Sequence, residues 1–173
     1  QPNENNGRFG TIVCGLKWSP GKQQLGSCGS AQAVKVWNLR KLVPCVKFTE
    51  HTSHVKAISW SPHHRGLLTT GGGSDDGMLR FWNTISGVPL QRISTGRSQI
   101  CNVAWSKLSP ELVTTHGYGN SGLITWKYPS LRLGYRPANT PSASLHVHVS
   151  RWRIDRHRKW YEAGVLACVQ AGV

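Results

Sequence analysis

Acidic side chains are scarce in this chain of 173 residues: seven Asp and Glu stand against 21 Lys and Arg, a formal charge of +14. A surplus of that size ordinarily points to nucleic acid or an acidic partner, but its meaning depends on where the charge sits. Any apolar run of about 18 residues is also missing, which excludes a membrane-spanning helix, so no membrane is expected as a partner. The N-terminus lacks the charged, apolar, then small-residue order of a secretory signal. Gly has no period of three, so the chain is not collagen-like. No C-x-x-C pair occurs, and the five Cys, at 14, 28, 45, 101 and 168, are odd in number. That pattern argues for reduced thiols inside a cell rather than a disulfide framework. A G-x-x-x-x-G-K-[ST] phosphate loop is absent, and so is a G-x-S-x-G nucleophile elbow.

Tryptophan, by contrast, is abundant and periodic. Trp18, Trp60 and Trp105 recur at intervals of 42 and 45 residues, and Trp37, Trp82 and Trp126 at 45 and 44. Their surroundings repeat as well. Val13-Cys14-Gly15-Leu16-Lys17-Trp18-Ser19-Pro20 matches Val55-Lys56-Ala57-Ile58-Ser59-Trp60-Ser61-Pro62, and Ile100 to Ser106 is a third copy. A period of about 40–45 residues with Trp closing each unit is the sequence mark of propeller blades. The unit around Trp60 and Trp82 predicts strands over 55–60, 66–70, 78–82 and 88–93, with 71–77 as a glycine turn requiring positive φ. No helical period is sustained up to residue 130. The expected fold is all-β: an incomplete propeller of about three four-stranded blades, with an irregular basic C-terminal tail. Residues 1–10 read as a partial strand or loop, 11–131 as the repeats and 132–173 as the divergent tail.

Within the second blade, His51, Thr70, Asp76 and Trp82 fall where a buried hydrogen-bonded chain can form. Such a chain satisfies polar groups that would otherwise cost about 1–3 kcal/mol each. The rival reading, a hydrolase triad, finds no nucleophile elbow to support it. The pairs His51/His54, His63/His64 and His146/His148 have no Cys or carboxylate at ligand spacing, so neither a metal nor another cofactor is expected. The cysteines read as small buried residues. No catalytic residue is assigned.

Several of these motifs are more specific than the repeat alone. Gly15-Leu16-Lys17-Trp18-Ser19-Pro20, Gly71-Gly72-Gly73, Thr115-His116-Gly117-Tyr118 and Trp126-Lys127-Tyr128-Pro129 resemble the Fizzy and Fizzy-related WD40 coactivators. The resemblance covers roughly residues 8–131. It implies a non-enzymatic adaptor that serves the anaphase-promoting complex, a ubiquitin ligase in cell-cycle control, in the nucleus or cytoplasm. It also implies a seven-bladed propeller that captures destruction-box and KEN-type degrons on substrates. Such proteins dock through an N-terminal arm and a C-terminal Ile-Arg dipeptide. This chain shows neither, and the expectation is a truncated or degenerate relative. Where the family usually has Asn-Asp-Asn before the third strand of the first blade, this chain has Ser30-Ala31-Gln32, so KEN capture is expected to be impaired and the blade's own buried network to be missing. Degron contacts are expected in the turns before the third strands: Ser30, Gln32, Ser74, Asp75, Tyr118 and Asn120.

Beyond Leu131 the repeat stops. Residues 132–173 carry seven Lys and Arg against two acids, including Arg151-Trp152-Arg153 and Arg158-Lys159-Trp160-Tyr161. Three readings stand: a basic aromatic strip on nucleic acid, a disordered tail, or a shifted reading frame. Codons for Val149 to Tyr161 can be chosen so that the next frame reads Thr-Ser-Pro-Gly-Gly-Glu-Ser-Ile-Val-Thr-Gly-Ser-Gly, which fits a normal blade. A frameshift makes the tail's charge an accident, so nucleic acid is the alternative partner and not the expected one. Sequencing the gene decides: the frameshift reading expects the neighbouring frame to encode a fourth blade from residue 132 onward, and it fails if that frame encodes none.

Overall fold

The computed structural model describes residues 12–41, 43–96, 99–117 and 122–134, together with two short strands in the tail. No helix occurs among the described residues. Three antiparallel four-stranded sheets follow one another along the chain. Blade one is β1 (Val13–Trp18), β2 (Gln24–Gly29), β3 (Val34–Asn38) and β4 (Pro44–Phe48). Blade two is β5 (Val55–Trp60), β6 (Leu67–Gly72), β7 (Met78–Asn83) and β8 (Val88–Ser94). Blade three is β9 (Gln99–Trp105), β10 (Glu111–Gly117), β11 (Gly122–Lys127) and β12 (Arg132–Leu133). In the tail, β13 (Trp152–Ile154) pairs with β14 (Trp160–Glu162); the rest of 135–173 lies outside the described residues, and so does most of the segment on which the three tail readings bear.

Period-two alternation sends successive side chains of each strand to opposite faces. On β7, Leu79 and Phe81 join the seam with blade three, while Trp82 joins the seam with blade one. The first seam packs Cys28, Val34, Val36 and Phe48 against Val55, Ile58, Trp60, Leu68 and Trp82. Its centre is a stacked pair, Phe48 on Trp82, with ring centroids 4.4 Å apart. The second seam packs Ala57, Leu67, Leu79 and Phe81 against Ile100, Trp105, Leu112, Ile124 and Trp126. Blade two thus has both faces covered, and all six residues of β6 are buried. Blade one turns Leu16 and Trp18 outward, at 56% and 49% exposure.

The Trp series on the first strands stitches the seams. Trp60 Nε1 donates across the first seam to the Lys17 carbonyl at 2.9 Å, and Trp105 Nε1 donates across the second to Thr69 Oγ1 at 3.1 Å.

Two expectations need correction. The glycine run is not all turn: β6 continues through Gly72, and only Gly77 in that run has positive φ, at 55°. The reason is space, not dihedral freedom. A Cβ on Gly71 would sit 2.4 Å from the Ile100 side chain, and one on Gly73 2.5 Å from the His54 ring. The cysteines are not uniformly buried either. Cys28 is buried, but Cys14, Cys45 and Cys101 are exposed. Each of the three is the residue skipped at a β-bulge, between Val13 and Gly15, opposite Val36/Trp37, and opposite Thr115/His116. A bulge leaves its extra residue unpaired and kinks the strand, which here turns the thiol out of the core. Cys168 lies outside the described residues.

Leu79 is fully buried in the second seam. Leu79→Ala is expected to cost about 2–5 kcal/mol, read as a fall in the urea midpoint. Leu90→Ala, at an exposed position on the outer strand, is expected to stay within about 0.5 kcal/mol of wild type.

Candidate functional site

At one end of the sheets lie the β2–β3 and β6–β7 turns and the loops that lead into β5 and β9. Here the structure brings His51, Thr70, Asp76 and Trp82 together. His51 Nδ1 lies 2.6 Å from Asp76 Oδ2, His51 Nε2 lies 2.7 Å from Thr70 Oγ1, and Trp82 Nε1 donates to Thr70 Oγ1 at 2.7 Å. One proton assignment satisfies the whole chain: the indole N–H donates to Thr70, the Thr70 hydroxyl donates to Nε2 of a neutral His51, and Nδ1–H donates to Asp76. The order carboxylate, imidazole, hydroxyl has the form of a catalytic triad. It cannot act as one, because Thr70 is completely buried and its oxygen is already the acceptor for Trp82. The relay ties a loop, two strands and a turn of one blade together.

Two further residues complete the cluster. Thr52 donates to Asp76 Oδ1 through its hydroxyl at 3.1 Å, and the buried Arg80 guanidinium lies 3.7 Å from Asp76 Oδ1 and 3.5 Å from Glu50. Burial alone would push the Asp76 carboxyl up. The hydrogen bond and electrostatic pull of the His51 N–H, then the backbone and hydroxyl of Thr52, outweigh it and hold the group below its ordinary range. Sequence reasoning passed over Thr52 and Arg80 because neither lies on a repeat position singled out by Trp.

The other blades carry parts of this arrangement. Trp126 Nε1 donates to Thr114 Oγ1 at 3.0 Å, and His116 Nε2 lies 2.9 Å from the same oxygen. Blade three therefore supplies its imidazole from β10 itself, two residues beyond the hydroxyl. In blade one Trp37 Nε1 donates to Ser27 Oγ at 2.8 Å, and the position of the carboxylate is Ala31. The hydroxyl acceptors Ser27, Thr70 and Thr114 are 43 and 44 residues apart. That spacing was the signal available for finding them.

Four of the six residues expected to contact a degron are described, and all four are exposed at this same end. Ser30 and Gln32 lie between β2 and β3, Ser74 and Asp75 between β6 and β7. Ser30 is partly engaged: its hydroxyl accepts the Ile12 N–H at 2.9 Å. Gln32 holds a left-handed φ of 57°. Tyr118 and Asn120 lie outside the described residues.

Metal chemistry finds little to build on: no three His, Cys, Asp or Glu converge among the described residues. His63 is exposed and meets the Ser106 carbonyl at 2.9 Å, and His64 packs edge-on against Tyr128. Burial first, and then the Cys14 thiol beside it, push Cys28 up to about 12, so it stays a thiol at neutral pH and is no nucleophile.

Comparison with known proteins follows the same residues. The WD domain, G-beta repeat matches residues 42–83, from the outer strand β4 of blade one through the first three strands of blade two. Over 69 residues, 40% of the chain, it is 49% identical to Protein FIZZY-RELATED 1 of Arabidopsis thaliana. Over the same length it is 51% identical to B-type cell cycle switch protein ccs52A of Medicago truncatula. Against APC/C activator protein CDH1 of Saccharomyces cerevisiae it is 46% identical over 68 residues. These matches span 14% of each plant relative and 12% of the yeast one. Among solved structures, a chain in the crystal structure of the mitotic checkpoint complex superposes with a TM-score of 0.72 and 34% identity, over 75% of this chain and 41% of that one. The chain resembles Fizzy-related WD40 activators over part of its length, and its fold is that of WD40 propeller blades.

Because Asp76 is held below its ordinary range in the folded state, its ionised form stabilises the fold. That contribution is present above the unfolded value of about 3.9 and is lost as pH falls through the lower folded value. Wild type is therefore expected to lose stability on acidification below about pH 4. Asp76→Asn is expected to be weaker by about 1–3 kcal/mol already at pH 7 and flatter across the acid range. Urea midpoints measured from pH 7 down to pH 3 check both.

Proposed function

We propose that this chain is a non-enzymatic WD40 substrate-recognition segment that works with the anaphase-promoting complex, in the nucleus or cytoplasm of dividing cells. The observation that carries the reading is the identity of 46–52%, over 68 or 69 residues, to proteins named as Fizzy-related, cell cycle switch or APC/C activator proteins. On this reading Ser30, Gln32, Ser74, Asp75, Tyr118 and Asn120 face the degron, and the buried relay of blade two holds the Ser74–Asp75 turn still beneath it.

The chemistry of the turns grades the two degron types. A KEN-type motif presents a lysine, a carboxylate and an amide, which polar side chains on neighbouring turns must meet. Blade one offers Ser30, whose hydroxyl is already bonded to Ile12, the aliphatic Ala31 and Gln32. KEN capture is accordingly the weaker activity.

Binding of the full chain to immobilised degron peptides tests this. Retention on a destruction-box peptide is expected. The triple variant Ser30→Asn, Ala31→Asp, Gln32→Asn is expected to raise KEN-peptide affinity about five- to tenfold, the worth of one hydrogen bond. Retention by neither peptide nor the purified ligase overturns the proposal.

A further inference from the structure

We infer that the opposite end of the blades, where the Ser-Pro turns lie, is a docking surface for an acidic protein segment that carries apolar side chains. The fold separates charge between its two ends. The turns β1–β2, β3–β4, β5–β6 and β9–β10 emerge at one end and carry Lys22, Arg40, Lys41, Arg65 and Lys107, with no Asp or Glu in any of them. The described turns and loops at the other end carry Glu50, Asp75 and Asp76, of which Glu50 and Asp76 pair with the buried Arg80 of β7; Arg97, between β8 and β9 in sequence, lies outside the described residues. None of the five cations makes an ion pair among the described residues, and all five are exposed. Glu111, at the start of β10, is the one acid beside this end among the described residues, and it lies 3.7 Å from Lys127. Blade one adds to the imbalance: from Val13 to Phe48 it has no acid.

Charge alone leaves nucleic acid as a candidate. The apolar residues decide against it. Leu39, Val43 and Leu108 stand in these turns and Ile85 in the β7–β8 turn at the same end, each 64–67% exposed. Exposed aliphatic groups within a polar rim mark protein-binding surface. The surface is also concave. A cleft of about 550 Å³ runs between blades one and two, lined by Gln23, Asn38, Arg65 and Ile85 among others. A second cleft of about 310 Å³, with Lys17, Trp18 and Lys107 in its walls, shares Pro20 and Pro62 with the first. Cations at the rim steer an acidic chain in, and the clefts and aliphatic residues take its apolar side chains. The degron turns lie at the other end, so this surface stands or falls independently of the degron reading.

Fluorescence anisotropy with the full chain tests it. The probe is a labelled 16-residue peptide alternating Asp or Glu with Leu or Phe; the controls are the same peptide with Asn and Gln for its acids, and a 20-nucleotide oligothymidylate. The acidic peptide is expected to bind in the micromolar range, more weakly as salt rises. Arg40→Glu with Lys41→Glu is expected to weaken it about tenfold. Leu39→Ser with Ile85→Ser is expected to weaken it severalfold while leaving the salt dependence unchanged. Near-UV circular dichroism confirms folding, and Lys22→Glu with Lys107→Glu replaces any pair that misfolds. The inference is overturned if the acidic peptide does not bind, if it binds the charge-reversed chain equally well, or if oligothymidylate binds as tightly and ignores the aliphatic substitutions.

Discussion

A four-stranded sheet with apolar side chains on both faces has to be covered twice, and everything else in this molecule follows from how that demand is met. Blade two meets it, with a neighbour on each side and a fully buried β6. Blades one and three each meet it on one side through the described residues. The two seams therefore hold nearly all of the apolar burial, at roughly 25 cal/mol for each Å² removed from water. The indoles on β5 and β9 lock those seams in register. The buried relay in blade two belongs to the same economy: a sheet covered on both faces has no water for its polar groups, so His51, Thr70, Asp76 and Trp82 satisfy one another.

The propeller architecture was legible because Trp is large and falls on the first and third strands of each blade, so its spacing alone marks the period. The relay of blade two was legible for the same reason, since its members fall on repeat positions. The bulges were not. They depend on which backbone pairs are skipped, and Cys14, Cys45 and Cys101 carry no local mark that separates them from the buried Cys28. Gly71 and Gly73 were misread for a related reason. A glycine that makes room for a distant side chain looks, in sequence, like a glycine that turns the chain, and Ile100 lies 29 residues beyond Gly71. Thr52 and Arg80 escaped because they reach Asp76 from outside the repeat pattern.

The chain's large positive charge also changes meaning once it is placed in space. Spread over the sequence it looks like a general affinity for polyanions. Among the described turns, the unpaired cations stand at the Ser-Pro end, while Asp76 and Glu50 gather with Arg80 around the relay.

The two seam-crossing indoles differ in what they ask of heredity. Trp60 donates to a main-chain carbonyl, that of Lys17, which any amino acid at that position would provide. Trp105 donates to the side-chain oxygen of Thr69, which only another side chain with an acceptor could replace. The first stitch therefore makes no demand on the side chain at position 17, while the second makes one at position 69.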